Sequence, residues 1–218
     1  MISINEHSSI KIEDNKTGII YFDPFHIRDE LHDADVIFIT HDHYDHFSPE
    51  DVNKVANEMT KFVCPFSCLK SLVSAGLPEK LITCLNPDEK CAIEAKNGQF
   101  INVNAIHSYN VGKPFHPKRN NWLGYVITIS NEEGKDISYY IPGDMDENED
   151  ALRVKCDVLF VPIGGTYTMN AADAAKFTNK ICPKLAIPMH YGSIAGARVK
   201  GEDFSKLVDS EIEVKILI

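Results

Sequence analysis

The sequence predicts a layered α/β sandwich, in which two β-sheets lie between helices. Three observations support this fold class. Strand-like runs outnumber helix-like runs along the 218 residues. The helix-like runs recur between groups of strands in both halves of the chain, as expected when helices cover the outer faces of sheets. No internal repeat and no Pro/Gly/Ser-rich linker divides the chain, which predicts a single domain over residues 1–218.

Short apolar runs predict the strands. The continuous run VIFIT at 36–40 is typical of a strand that is buried on both faces, and DVLFVPI at 157–163 has the same character. The runs at 122–130 and 136–142 are expected to pair around a turn at 132–134. The remaining expected strands are 8–13, 18–23, 62–64, several short runs between 81 and 103, 184–190 and 212–218.

Four helices are expected, and polar residues mark where two of them begin. Ser48 can cap the first, with Pro49 suited to its first position and Asp51 to its third. Asn170 can cap the third helix in the same way. The four helices would cover about 48–59, 67–76, 170–179 and 202–209.

Composition excludes several classes of protein. No run approaches the roughly 18 to 20 apolar residues that span a bilayer, and the start of the chain lacks the basic and apolar segments of a secretory signal. The formal net charge of −10 makes the chain a poor binder of nucleic-acid backbones and of anionic membranes. We therefore expect a cytoplasmic protein that has neither nucleic acid nor membrane as a partner.

The six cysteines are expected to be reduced, buried thiols, because a chain of this length without an export signal has little need of disulfides. Cys64 and Cys68 stand at C-x3-C spacing, which also allows a metal or redox role. No second cysteine pair lies at zinc-ribbon spacing, so we interpret these thiols as small core hydrophobes.

The unusual feature is a cluster of histidines. The chain has nine, three of them between positions 41 and 46 in the pattern H-x-H-x-D-H. Such a pattern would arise by chance in roughly one sequence in a thousand of this composition. His41 and His43 alternate after a buried strand and can converge on one ion, while Asp45 and His46 can face a second. Imidazole and carboxylate are the ligands expected for zinc and similar divalent metals.

Three further donors each end a predicted strand. His107 follows FINVNAI, Asp144 follows YYIPG and His190 follows KLAIPM. Taken singly, each has an ordinary alternative, as a hydrogen-bonded structural histidine or as an aspartate in a turn. Loops at the ends of sheet strands are where α/β proteins gather active-site residues. Together with the cluster, the three donors therefore predict a binuclear metal site.

These residues resemble the metallo-β-lactamase superfamily of metal-dependent hydrolases. The resemblance depends on an ordered series that covers nearly the whole chain: Asp23, HDHYDH at 41–46, His107, Gly143-Asp144 and His190. It implies a four-layer αβ/βα sandwich of two mixed β-sheets, with helices on the outer faces and the metals at one edge.

The resemblance also implies a role for each matching residue. The first metal would be held by His41, His43 and His107. The second metal would be held by Asp45, His46 and His190. Asp144 would bridge the two metals, and Asp23 would orient the ligand loops from behind.

The activity that the resemblance implies is hydrolysis by a hydroxide that bridges two divalent metal ions. Zinc is the preferred metal, with manganese or iron as alternatives. Asp45 would orient the hydroxide and is the expected catalytic residue. The metal core serves esters, lactones and phosphodiesters alike, so the expected substrate is a small ester, lactone or phosphate-containing metabolite.

Two segments narrow the resemblance to one branch of the superfamily. HSSIKI at 7–12 and the long segment at 108–127 are similar to small prokaryotic members related to ascorbate-phosphate lactonase and to phospholipase D-like zinc hydrolases. Glu6 stands where these relatives usually have a glycine, so no role is assigned to His7. His43 stands where a glutamate would indicate the di-iron oxygen-reducing branch, which favours hydrolysis.

The segment 107–122 is where substrate selectivity is expected. In one interpretation His116, Lys118 and Arg119 bind a small anionic substrate. In the other interpretation they belong to an ordinary solvated loop. A phosphodiesterase or nuclease acting on nucleotides or RNA is an alternative function, because nucleases share this ligand set, although the net charge disfavours long nucleic acids. A metal-binding relative without turnover is a third, although no ligand position is lost.

Overall fold

The structure is a computed structural model that describes residues 1–130, 133–194, 196 and 198–218, except for the side chain at position 97. Two β-sheets pack face to face, and α-helices cover the outer face of each sheet. Residue 132, the first position of the expected turn at 132–134, lies outside the described residues.

The first sheet is mixed and follows the chain in sequence order. Its strands are β1 (Ile2–Ile4), β2 (Ile10–Asp14), β3 (Gly18–Phe22), β4 (Val36–Phe38), β5 (Lys61–Pro65) and β6 (Ile82–Leu85). The first three strands are antiparallel, and β3 to β6 run parallel. Parallel neighbours need crossover connections. Helices α1 (Pro49–Val55) and α2 (Phe66–Ser74) lie in two of these connections.

The second sheet repeats this plan. Its strands are β7 (Lys90–Glu94), β8 (Phe100–His107), β9 (Leu123–Ser130), β10 (Asp136–Ile141), β11 (Val158–Pro162), β12 (Leu185–Met189) and β13 (Glu213–Val214). The strands β7 to β10 are antiparallel, and β10 to β13 run parallel. Helices α3 (Ala171–Ile181) and α4 (Gly201–Ser205) follow β11 and β12. Single 3-10 turns lie at Glu79–Leu81, Lys96–Gly98, Lys118–Asn120 and Ala151–Arg153.

Three apolar clusters hold the layers together. The central cluster lies between the sheets and combines Phe22 and Phe38 of the first with Tyr125 and Phe160 of the second. A second cluster lies under α1 and α2, and a third under α3 and α4. The layers therefore run helix, sheet, sheet, helix, and the predicted four-layer αβ/βα sandwich is confirmed.

The helix starts follow the expected capping residues. The Ser48 side chain accepts a hydrogen bond from the backbone N–H of Asp51, and the Asn170 side chain accepts one from that of Asp173. The first helix ends earlier than expected, at Val55, and Met59 is exposed. It ends there because the Asn57 side chain donates to the carbonyls of residues 32 and 34 and draws the chain away from the helix.

The ends of the chain differ most from the prediction. Strand β1 was not expected, and the final strand has two residues instead of the seven that the apolar run indicates. None of the helices in the described part of the chain is long and apolar enough to cross a membrane. All six cysteines are free thiols. Cys64 and Cys68 are buried, as expected, whereas Cys182 is exposed.

Candidate metal centre

Polar side chains from both sheets meet at one edge of the sandwich. The first sheet contributes the segment 41–46 after β4 and the turn before β2. The second contributes the loop between β8 and β9 and the residues that follow β10 and β12. Gly143 allows the close approach of the two halves: its φ is +66°, and a Cβ at this position would lie 2.9 Å from the Cβ of Thr40.

The potential ligands form two neighbouring groups, and a third set, made of His41, His46 and Asp144, joins them. Within each group the donor atoms lie within 4.8 Å of one another. The first group consists of His41, His43 and His116, and the second of His7, Asp45, His46 and His190. In the first group, Nε2 of His41 lies 3.1 Å from Nδ1 of His43, so the two lone pairs can share one cation.

Asp144 lies between the two groups and contacts both. Its Oδ2 is 3.3 Å from Nε2 of His116 in the first group and 2.8 Å from Nε2 of His190 in the second. Its Oδ1 is 3.2 Å from Nε2 of His46. A carboxylate in this position can ligate a cation in either group.

Several of these atoms lack a conventional partner. Although Nε2 of His46, His116 and His190 and Oδ1 of Asp144 are buried and lie close to one another, none of them makes a hydrogen bond of acceptable geometry among the described residues. Buried polar atoms without a partner are rare in folded proteins and indicate an unaccounted ligand. Imidazole nitrogens and carboxylate oxygens are the donors that zinc and similar divalent ions prefer. The residues present therefore fit divalent metal ions.

Asp23 orients the histidines from behind. Its Oδ2 accepts a hydrogen bond from Nδ1 of His46 at 2.7 Å and another from the Thr40 hydroxyl at 2.7 Å. The same hydroxyl lies 2.9 Å from Nδ1 of His41. A proton fixed on Nδ1 leaves Nε2 of both rings free to bind a metal. Burial alone would lower the pKa of His46, but the Asp144 and Asp23 carboxylates hold it well above its usual value. In the metal-free chain Nε2 of His46 therefore also carries a proton, which a bound metal would replace.

The other ionisable groups have the protonation states that metal ligands need. Burial lowers the pKa of His41, His43 and His7, so these imidazoles are neutral at pH 7. Burial alone would raise the pKa of Asp144, but the surrounding histidines hold it well below its usual range. Burial acts in the same direction on Asp45, yet the hydrogen bond from His7 and the nearby histidines lower its pKa to about 2. Both carboxylates are therefore ionised.

His107 does not join either group. It is the last residue of β8 and is still paired with Leu123 of β9. Its ring packs on Tyr109, and its Nε2 lies 2.8 Å from the carbonyl oxygen of Lys118, away from the cluster. His116 lies with His41 and His43 in the place expected for His107.

His116 reaches the cluster because of an irregular loop. Both its backbone N–H and its Nδ1 lie within hydrogen-bond distance of Oδ1 of Asn110, at 3.0 and 2.8 Å. This contact turns Nε2 toward Asp144. From the sequence, His116 is expected to be a substrate contact and not a ligand. No strand or helix period marks the position, and only its place within the motif-bearing segment 107–122 singled it out.

His7, which the sequence analysis left without a role, belongs to the second group. It is fully buried, and its Nε2 lies 3.2 Å from Oδ2 of Asp45. The backbone N–H of His190 donates to the His7 carbonyl at 2.9 Å, which ties the turn before β2 to the end of β12. The only signal in the sequence was the position of His7 at the start of the segment HSSIKI.

The basic residues of the 107–122 segment are engaged elsewhere. Lys113 donates to Oδ1 of Asp146 and to the carbonyl of Thr168, both at 2.6 Å. Lys118 pairs with Asp150 at 2.9 Å and lies over the ring of Tyr109. Arg119 is exposed at the surface. None of these three side chains lines the cavity in front of the cluster.

That cavity has a volume of about 480 Å³, which suits a small molecule. Part of its lining is the cluster itself, from His43, Asp45, His116 and Asp144. The rest is aromatic or aliphatic and consists of Tyr44, Phe115, Tyr167 and Ile194.

Known proteins are similar to this chain in sequence and in fold. The model of the beta-lactamase superfamily domain matches residues 1–190. A UPF0173 metal-dependent hydrolase of Thermodesulfovibrio yellowstonii is 31% identical, over 97% of this chain and 86% of its own. One from Staphylococcus carnosus is also 31% identical, over 99% and 95% of the two chains.

Solved structures of other proteins have a similar fold. One from Parabacteroides distasonis, named as a metal-dependent hydrolase, has 27% identity and a TM-score of 0.79, covering 99% of this chain and 91% of that one. A metallo hydrolase of Ignicoccus hospitalis has the same fold at 21% identity, with a TM-score of 0.78 over 99% and 93% of the chains. With its two histidine groups and the aspartate between them, this chain belongs to the beta-lactamase superfamily and is a metal-dependent hydrolase.

Proposed function

We propose that this chain hydrolyses small esters or lactones at a pair of divalent metal ions. The observation that supports two ions is Asp144, whose carboxylate contacts histidines of both ligand groups. The first ion would be held by His41, His43 and His116. The second would be held by Asp45, His46 and His190. Asp144 would bridge them, and zinc is the metal that this ligand set favours.

The pair of ions, when bound, supplies an activated water and polarises the carbonyl of the substrate. The protein's own residues fix the geometry. Asp23 holds His46 directly and His41 through the Thr40 hydroxyl. Asp45 is ionised and partly exposed to the cavity. Its carboxylate can therefore accept a hydrogen bond from the attacking water and orient it.

His7 extends this arrangement. Its Nε2 faces the carboxylate of Asp45 at 3.2 Å, and burial keeps the imidazole neutral. A neutral imidazole that donates to Asp45 would fix the carboxylate without neutralising it. His7 therefore acts either as a further ligand of the second ion or as the group that orients Asp45.

Metal content and turnover test the proposal together. Purified protein is expected to contain close to two metal ions per chain by elemental analysis. Chelation should abolish ester hydrolysis, and added zinc should restore it. His46→Asn should lose both metal and turnover, whereas His32→Asn, at an exposed histidine outside the cluster, should keep both. Metal-free protein with full activity would overturn the proposal.

A further inference from the structure

The cavity in front of the cluster has an apolar wall whose chemistry bears on the substrate. Phe115 and Tyr167 are 39% and 42% exposed, and their rings meet edge to face with centroids 4.8 Å apart. Tyr44 and Ile194, which are also exposed, line the same cavity. Large apolar side chains that are exposed together around a cavity mark a binding site.

Apart from the proposed metal ions, the same lining offers little to an anion. Its described residues include two aspartates, Asp45 and Asp144, and no lysine or arginine. Lys113, in the same loop as Phe115 and His116, is held by Asp146 and by two backbone carbonyls, so it is not free to turn toward a ligand. A phosphate or carboxylate on the substrate would therefore have no cationic side chain to bind.

The geometry points to an uncharged carboxylic ester or lactone that carries an apolar ring. We infer that the ring lies against Phe115 and Tyr167, whose perpendicular faces form two walls for a flat group, while the carbonyl faces the cluster. Water adds to the carbonyl carbon, the bond to the alcohol oxygen breaks, and that oxygen receives the proton. This inference rests on the proposed function and names its substrate class.

Three acetate esters test the preference. Benzyl acetate and ethyl acetate have leaving alcohols of similar acidity and differ in the ring, while 4-carboxybenzyl acetate adds an anionic group to the ring. We expect kcat/KM for benzyl acetate to exceed that for ethyl acetate at least about tenfold, as a well-placed apolar group gives elsewhere. We also expect 4-carboxybenzyl acetate to be hydrolysed less efficiently than benzyl acetate.

Substitutions in the apolar wall test whether its side chains cause the preference for benzyl acetate. Phe115→Ala and Tyr167→Ala should each reduce the benzyl-to-ethyl ratio of kcat/KM severalfold. The matched control is Phe100→Ala, at a phenylalanine that is 56% exposed and lies outside this cavity. Equal kcat/KM values for the two neutral esters, or a preference for the anionic one, would overturn the inference.

Binding of benzyl alcohol separates this inference from the proposed function. Saturation-transfer NMR on metal-free protein should detect ring protons of benzyl alcohol in the wild type and in Phe100→Ala, and a weaker signal in Phe115→Ala and Tyr167→Ala. Bound benzyl alcohol without turnover of any ester would overturn the proposed function and support the apolar site. Turnover without benzyl alcohol binding would overturn the apolar site alone.

Discussion

Replacement of His116 by alanine distinguishes the two histidines that compete for the third position of the first ligand group. The residue is buried, its Nε2 makes no hydrogen bond of acceptable geometry among the described residues, and it faces Asp144 at 3.3 Å. His107 is the matched control, because it lies in the same segment and its Nε2 donates to the carbonyl oxygen of Lys118, away from the cluster. We compare His116→Ala with His107→Ala.

The expected magnitudes differ widely. Loss of a residue that merely orients a ligand typically costs 10- to 100-fold in metal affinity. Removal of a direct imidazole ligand should therefore weaken the first metal by more than about 100-fold, or about 3 kcal/mol. His107→Ala removes one hydrogen bond at a half-buried position, which costs about 1 kcal/mol of folding stability or less and leaves metal affinity unchanged.

The assay is a zinc titration with a competing chromophoric chelator, combined with elemental analysis of protein purified without added metal. His116→Ala should retain about one ion per chain and His107→Ala about two. Urea unfolding of both metal-free variants checks that the fold survives. If His107→Ala lost an ion while His116→Ala kept both, the assignment from the structure would be wrong and the one from the sequence right.

Three further predictions address the supports of the site and the scaffold. Asp23→Asn replaces the acceptor of His46 Nδ1 with a group that can present a donor, so zinc affinity should fall about 10- to 100-fold in the same titration; unchanged affinity would refute the orienting role. Gly143→Ala should lower the free energy of unfolding in urea by about 2 kcal/mol, because φ is +66° and the new methyl group would lie 2.9 Å from a threonine Cβ; a neutral effect would contradict the close approach. The Lys184 ammonium and a backbone N–H hold the pKa of Asp157 at about 2, below its ordinary 3.8, so the carboxylate stabilises the fold above about pH 4 and this contribution disappears as the pH falls toward 2. Asp157→Asn should therefore cost about 1 kcal/mol at pH 7, reduced by solvent screening, with the difference from wild type vanishing near pH 2 in urea titrations; a difference that grows in acid would refute the sign.

The predictable part of the fold is the part governed by local sequence. Buried strands such as Val36–Phe38 and Val158–Pro162 are continuous apolar runs, and the caps at Ser48 and Asn170 lie next to the helices that they start. The short edge strands are harder, because little apolar surface distinguishes a strand of two or three residues from a loop. The first helix is expected to extend to about residue 59, although contacts of Asn57 with distant carbonyls end it at Val55.

The candidate site also has one part that the local sequence predicts and another part that it does not. The cluster at 41–46 could be recognised from spacing alone, and the structure brings all four of its expected ligand side chains together. The end of a strand indicates where the chain leaves the sheet but not how the following loop returns, so His107 was favoured over His116. The path of that loop depends on contacts with residues more than thirty positions away, such as that of Lys113 with Asp146. The position of His7 in the second group depends on a backbone hydrogen bond with His190, which lies far along the chain.

The division of the ligands between the two sheets has a mechanical consequence. Metal bound as proposed, by side chains from both halves, would hold the two halves together in addition to the apolar layer at their interface. A ligand that binds only the folded chain raises its apparent stability, by about 4 kcal/mol at a free concentration one thousand times the dissociation constant. The concentration of free metal would then set the apparent stability of the folded chain, whether or not any substrate is present.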